Sequence, residues 1–318
     1  MALFRDLMAM IERDGAASLV SVREVQGSSP RNVGAHMLVR RDGAFSGSIG
    51  GGALEWRAMA EAQALLAAKD GRTIRLLDQA LGPDLGQCCG GRVKIAIERF
   101  GPADLDWIAP LAVAEHAGVI TTIAEPMPGG ALRRRLFVGD SPPGALIETF
   151  GTDRLAVLIA GAGHVGRALV LALAPLPFAV TWVDPRPDAF PGVAPQNVAT
   201  LAGSPVDALA ALPDGAMILA MTHSHALDLE IVDAALRAGR FSFVGVIGSA
   251  TKRARFVSQL RKAGLDLATI ERLVCPIGIQ GLGGKEPAII AASVAAQLLI
   301  ERDALAQQQS AQKAHHVG

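Results

Sequence analysis

The chain has 318 residues, half of them hydrophobic, and its thirty basic side chains balance thirty acidic ones, so it is long enough for two domains with substantial cores. That balance gives no electrostatic case for nucleic acid or an anionic membrane as the main partner. Three cysteines in a chain of this length do not make a disulfide framework, and a reducing cytoplasm is the expected compartment.

The opening MALFRDLMAMIERDG carries charges at Arg5, Asp6, Glu12 and Arg13 and lacks the unbroken apolar run of a signal peptide, so it reads as an amphipathic helix. ASLVSVREV follows as a strand ending at the turn QGSSPRNVG. AHMLVRRDGAFSGSIGGG predicts a hairpin about Asp42-Gly43 that leads into a glycine triplet. In ALEWRAMAEAQALLAAKDG, Leu54, Ala58, Ala62 and Leu65 fall on one helical face, and Gly71 is expected to close the helix. RVKIAIERF alternates, placing Val93, Ile95 and Ile97 on one face of a strand. Residues 104–152 mix short strand patterns (VITTIAE, LRRRLFV) with Pro-Gly turns and read as a connector or the end of a first domain covering 1–103.

From Leu155 the pattern becomes strand alternating with helix, the signature of a parallel α/β sheet, expected over 153–306. The most apolar stretch, Leu155 to Val183, is broken by His164, Arg167, Pro175 and Pro177, which suits buried sheet and helix rather than a membrane span. FAVTWVD, AMILAMTH and FSFVGVIGS read as further buried strands, and a last helix starts at Pro287. Residues 307–318 are expected to form a polar, frayed tail. The expected fold class is therefore α/β, a glycine-rich N-terminal α/β domain followed by a Rossmann-like parallel-sheet domain.

GAGHVG fits G-x-G-x-x-G between a strand and a helix: Gly161 permits the turn, Gly163 admits a pyrophosphate and Gly166 lets helix and strand pack. A phosphate there would meet free N–H groups at the helix start beside His164. Asp184 stands at about the spacing of a ribose-binding acid. The alternative is a Rossmann turn kept only for packing. MTHSHALD puts His223, His225 and Asp228 at the carboxyl end of a strand, where open α/β sheets bind ligands; polar ligand contacts, a metal, or helix capping by Thr222 and Asp228 are the readings. GSATKRARF offers Gly248, Ser249, Lys252 and Arg253 as an anion site or a solvated basic face. GIQGLGGKEP is not a Walker A loop, because Ile279 replaces its first glycine and Glu286 its Ser or Thr, although Lys285 can still meet a phosphate.

In the first half, Ser28, Ser29 and Arg31 supply donors, with Arg31 suited to phosphate or carboxylate. Gly50, Gly51 and Gly52 expose N–H groups before a helix, with Glu55 pointing back toward them; an anion cradle and a helix cap completed by Glu55 are both open. Cys88 and Cys89 are adjacent, so a bridge between them is strained, and they lack C-x-x-C spacing. A soft metal or sulfur contact is one reading, and two small buried side chains the other. Cys275 reads as core.

GSSPRNVGAHMLV, SIGGGALE and LGPDLGQCCGGRV, followed in order by IAGAGHVGRAL, WVDPR, THSHALD, GVIGSATKR and PIGIQGLGGKEPAIIA, resemble the xanthine dehydrogenase accessory proteins of the XdhC/CoxI group over most of the chain, about Gly27 to Ala292. The resemblance implies a non-enzymatic chaperone that holds the molybdenum cofactor, molybdopterin with its metal. It would support sulfuration with a cysteine desulfurase and deliver the cofactor to apo-xanthine dehydrogenase, in the cytoplasm and as a homo-oligomer. A nucleotide in the Rossmann domain is also compatible. The group's cysteine directly after the glycine triplet is Ala53 here, which leaves Cys88 and Cys89 as the sulfur candidates. The rival reading is an NAD(P)-dependent oxidoreductase using GAGHVG and Asp184, with His164 or His223 as its acid or base. That reading leaves GSSPR, GGGALE and QCCGG unused.

Overall fold

Leu3, Phe4, Leu7 and Ile11 recur at helical spacing, and in the computed structural model they are the buried stripe of α1 (Leu3–Asp14), which ends at Gly15 with φ 75°. The structure describes residues 2–82, 90–127, 132–139 and 145–316. Its contacts divide the chain into two units, Met1–Thr152 and Asp153–Gly318.

In the first unit β1 (Ala17–Gln26), β2 (His36–Val39) and β3 (Phe45–Gly47) are followed by α2 (Gly52–Ala67), β4 (Ile74–Ala80) and β5 (Arg92–Phe100). They form an antiparallel sheet in the order β3-β2-β1-β5-β4. The predicted Asp42-Gly43 hairpin is present, with Val39 opposite Phe45 and the Gly43 N–H on the Arg40 carbonyl at 3.1 Å. Alternation decides which side chains meet α2: Val20, Val22, Val93, Ile95 and Ile97 join Leu54, Ala58, Ala62 and Leu65 in one core. Ala17, Leu19 and Phe100 point the other way, to α1. α2 stops at Ala67 rather than running on to Gly71, because Ala68 is already extended and Asp70 turns the chain by accepting the Arg72 N–H.

Residues 104–152 are built into this unit. α3 (Leu105–Ala117) packs on α1, and β6 (Ile120–Pro126), β7 (Leu132–Leu136) and β8 (Leu146–Phe150) make a second antiparallel sheet, ordered β7-β6-β8. Ile108, Leu111, Ile120 and Phe150 share a core with α1.

The second unit carries β9 (Leu155–Ala160), α4 (His164–Leu173), β10 (Phe178–Asp184), β11 (Val198–Ala202), the short α5 (Pro205–Ala208), β12 (Met217–Ala220), α6 (His225–Ala238), β13 (Phe243–Val246), α7 (Ala250–Lys262), α8 (Leu267–Glu271), β14 (Leu273–Val274) and α9 (Pro287–His316). The six strands are parallel in the order β11-β10-β9-β12-β13-β14, the Rossmann arrangement. Helices cover both faces, which is why the strands are apolar throughout. Leu158 and Ile218 meet Ile231 and Phe256 on one side, while Val157, Ile159 and Leu219 meet Leu169, Val294 and Leu298 on the other. β11 escaped the pattern reading because it is an edge strand whose side chains are mostly exposed. α9 runs past the expected end of the domain to His316, in keeping with the helix propensity of its Ala- and Gln-rich end. Among the described residues, no helix is long and apolar enough to cross a membrane.

Candidate functional site

Three glycine-bearing loops meet at one end of the five-stranded sheet. A Cβ on Gly50 would lie 2.4 Å from Pro30 Cγ, and one on Gly91 would lie 2.3 Å from the Ser28 carbonyl oxygen. The Gly91 N–H donates to that same carbonyl at 3.1 Å, and the Leu81 N–H donates to the Gly91 carbonyl at 2.9 Å. The Ser28–Arg31 loop thus packs against the other two at distances only glycine allows, its backbone on Gly91 and its Pro30 ring on Gly50. Cys88 and Cys89 lie outside the described residues.

Within this cluster the glycine triplet has φ values of 130°, 76° and 64°, so all three positions need glycine. Glu55, in the first turn of α2, reaches back as its position suggested. Its Oε1 accepts the Ser48 hydroxyl at 2.6 Å, the Ile49 N–H at 2.9 Å and the Gly50 N–H at 3.2 Å. Burial raises this carboxyl, but the Ser48 hydroxyl and the N–H groups of Gly51, Ile49 and Gly50 outweigh it and hold the group below the usual range. The N–H groups of Ile49 and Gly50 therefore already have an anion, supplied by the chain. Ser29 donates to the Arg31 carbonyl at 2.9 Å. The Arg31 guanidinium is exposed and has no partner among the described residues. Ala53 stands exposed on the first turn of α2.

In the second unit, β9 and β12 are neighbours from which the chain winds off in opposite directions, the switch point where open α/β sheets leave a crevice. The Met221 N–H donates to the Ala160 carbonyl at 2.9 Å, and a Cβ on Gly161 would sit 2.5 Å from the Met221 carbonyl oxygen. Gly166 is equally constrained, with a Cβ 2.1 Å from the Gly161 carbonyl oxygen. Gly163 is different. Its φ is −75° and a Cβ there would touch nothing, so neither backbone nor packing requires glycine. The space beside it, at the start of α4 next to the exposed His164, is the part of the turn open to an anion.

Asp184 does not face a ribose site. It is 1% exposed; Oδ2 accepts the Ala162 N–H at 2.8 Å, and both oxygens are taken by the Arg186 guanidinium at 2.9 Å. Burial raises its pKa, but Arg186 and the Ala162 N–H win and bring it to about 2. The acid pins the glycine turn to β10.

The HSHALD motif also resolves into two parts. Asp228 is fully buried, accepts from the Thr222 N–H at 2.9 Å and hydroxyl at 2.8 Å, and pairs with Lys252. Ser224, not Thr222 or Asp228, is the N-cap of α6, accepting the Leu227 N–H. His223 and His225 stand exposed beside the crevice. Among the described residues no three His, Cys, Asp or Glu side chains group as a metal site. Lys252 is turned inward, so it offers neither an anion site nor a solvated face. Ser249 caps α7. Lys285 edges a pocket of about 470 Å3 formed with Gly248, Gly278, Gln280 and Ser293 before α9. Cys275 is a buried free thiol whose pKa burial pushes up.

Pattern reading missed one cluster altogether. Arg134 of β7, 1% exposed, bonds Glu98 of β5 at 2.7 Å and Glu148 of β8 at 2.7 Å, and Arg23 of β1 pairs with the same two carboxylates. Two arginines and two glutamates tie the two sheets of the first unit together. The available signal was charge at inward-facing strand positions: Arg23 shares its face with Leu19, and Arg134 is the centre of LRRRL.

Comparison with known proteins follows the same two-unit division. A model described as the XdhC Rossmann domain matches residues 157–298, and one described as the XdhC and CoxI family matches residues 10–76, together more than half of the chain. The chain is 28% identical over 309 residues to the uncharacterized protein YqeB of Escherichia coli K12, covering 94% of this chain and 46% of that protein. It is 32% identical over 95 residues to the molybdenum cofactor insertion chaperone PaoD of the same organism, 30% of each. It thus spans less than half the length of these curated relatives. A crystal structure of a xanthine dehydrogenase from Bacillus halodurans has the same fold, with TM-score 0.75 and 21% identity over 96% of both chains.

Proposed function

From its membership of the XdhC and CoxI family, to which this chain belongs, we propose that it carries the molybdenum cofactor during xanthine dehydrogenase maturation. The cofactor is cargo: the chain holds it, supports its sulfuration with a cysteine desulfurase, and delivers it to the apo-enzyme without turning over a substrate.

The observation that carries this reading is the close approach of the Gly50–Gly52 and Gly90–Gly91 loops to the Ser28–Arg31 loop between them. A chain that commits three loops to glycine for such close approach gives up backbone entropy for a shared surface. Arg31, exposed and without a partner among the described residues, suits the cofactor's phosphate through two parallel hydrogen bonds. Cys88 and Cys89 precede Gly90 directly in sequence, and thiolates are the ligands a soft metal or a transferable sulfur requires. Because Glu55 already accepts the N–H groups of Ile49, Gly50 and Gly51, the cargo's anionic group is assigned to Arg31 rather than to the start of the triplet.

Protein purified after co-expression with active cofactor synthesis is expected to yield near-stoichiometric pterin and molybdenum on extraction. Cys88→Ala and Cys89→Ala together lower that yield and the reconstitution of apo-xanthine dehydrogenase. Absence of cofactor from the parent protein would overturn the carrier reading, and unchanged delivery by the double variant would remove the thiols from it.

A further inference from the structure

The first unit holds a recess of about 360 Å3 on the face of the five-stranded sheet turned toward β8. Ser21 and His36 line it and are direct cross-strand partners, so their side chains share that face. Ser21 is 0% exposed, and its hydroxyl has no hydrogen-bond partner among the described residues. Buried hydroxyls are nearly always bonded, and one left unpaired destabilises the fold, so the recess carries an unmet polar group. His36 packs on the Phe150 ring at 4.9 Å. Burial, helped by Arg23 and Arg134 and opposed by Glu148, pulls its pKa down to about 4. At neutral pH the imidazole is uncharged, with one N–H and one lone pair to offer. Arg23 and Glu148, on the same recess, are paired with each other. The lining thus presents donors and acceptors without net charge beside apolar Val33 and Ile147.

A second recess, of about 260 Å3, shares Gly34, His36 and Thr149 with the first and is edged by Arg31, Ser48 and the buried Glu115. Arg31 is the guanidinium that has no partner among the described residues. A neutral, hydrogen-bonding compartment therefore adjoins a recess at whose edge the Arg31 guanidinium stands exposed, while the Glu115 carboxylate of that recess is taken by the Leu3 and Phe4 N–H groups.

We propose that the two recesses together bind a fused nitrogen heteroaromatic ring bearing an anionic arm, with the ring edge on Ser21 and His36 and the arm on Arg31. Naming the ring a pterin rests on the proposed function. A purine nucleotide offers the same chemistry from another source.

The test uses the full chain and two probes, 6-carboxypterin and guanosine 5′-monophosphate, titrated by fluorescence and calorimetry. Binding of either is expected, and the one preferred identifies the source. Ser21→Ala, which removes only the hydroxyl, and Val33→Trp, at a position 59% exposed on the rim, are each expected to weaken binding at least tenfold at a urea midpoint no lower than the parent's. Arg31→Ala is expected to weaken 6-carboxypterin several-fold and to leave a pterin without the carboxylate unaffected. No binding of either probe, or equal affinity in both Ser21→Ala and Val33→Trp, overturns the proposal. Cofactor extraction from the same preparations separates the two ideas. Retained cofactor with no probe binding sinks the recess and spares the carrier reading, whereas probe binding without retained cofactor does the reverse.

Discussion

Lys252 Nζ lies 2.7 Å from Asp228 Oδ2 and 2.8 Å from the Ile247 carbonyl oxygen, with the two side chains 10% and 0% exposed. This pair ties the start of α7 to the start of α6 and fixes the loop that carries His223 and His225. Asp228 is spent on Thr222 and Lys252 rather than on the histidines beside it.

Removing one partner strands a buried charge. Lys252→Met is expected to lower unfolding free energy by about 3–5 kcal/mol, and the double variant Lys252→Met, Asp228→Leu to recover part of that loss. Urea denaturation of the two variants checks it, and a Lys252→Met midpoint equal to that of the parent would refute the structural role.

The Asp184 carboxyl contributes stability in one pH direction. Its folded pKa, about 2, lies below its ordinary value of 3.8, so the stabilisation is fully present above about pH 4 and is lost as pH falls through 2. Converted at about 1.4 kcal/mol per pH unit, the contribution is of the order of 2 kcal/mol. Asp184→Asn should be less stable than the parent at pH 7, and the gap should narrow on acidification toward pH 2. A gap independent of pH over that range would contradict the assignment.

The three glycines of the Rossmann turn should behave unequally. Gly166→Ala drives a Cβ into the Gly161 carbonyl, and overpacking of this kind costs about 1–3 kcal/mol. Gly163→Ala should leave the melting temperature within a degree or two, since its Cβ meets nothing. If an anionic ligand uses this turn, Gly163→Ala weakens it. Calorimetric titration with NADH, NADPH and ADP, alongside thermal melts, reads both effects, and no turnover of nicotinamide is expected in either variant.

Glu55→Ala withdraws the acceptor of the Ile49 and Gly50 N–H groups and should destabilise the first unit by about 1–3 kcal/mol. Amide exchange at Ile49 and Gly50 should accelerate sharply. Unchanged protection there would mean that another group satisfies them.

The Rossmann unit was legible because its signals are local. An apolar strand, a glycine turn and an amphipathic helix repeat within short windows, and strand, turn and helix followed over Leu155–Leu173 as the pattern predicted. The first unit was less legible after Phe100. β7 and β8 are short and partly exposed, and what fixes them is the Arg134 pairing with Glu98, 36 positions away in sequence. No local window contains such a contact.

By itself the sequence determined the α/β class, the strand–turn–helix order of the second half, the amphipathic faces of α1 and α2, and the identity of the glycine loops, because each follows from nearest-neighbour periodicity and backbone freedom. Tertiary structure alone decided what those residues are for. Asp184 and Asp228 read as ligand groups in a linear chain, yet each is consumed by cations and N–H groups brought to it by folding. Glu55 likewise takes the Ile49 and Gly50 N–H groups that the glycine loop would otherwise offer a ligand. A polar side chain's availability depends on which partners reach it within about 3 Å. That is set by strand order and register across the whole unit, which also leaves the Ser21 hydroxyl and the Arg31 guanidinium without partners among the described residues.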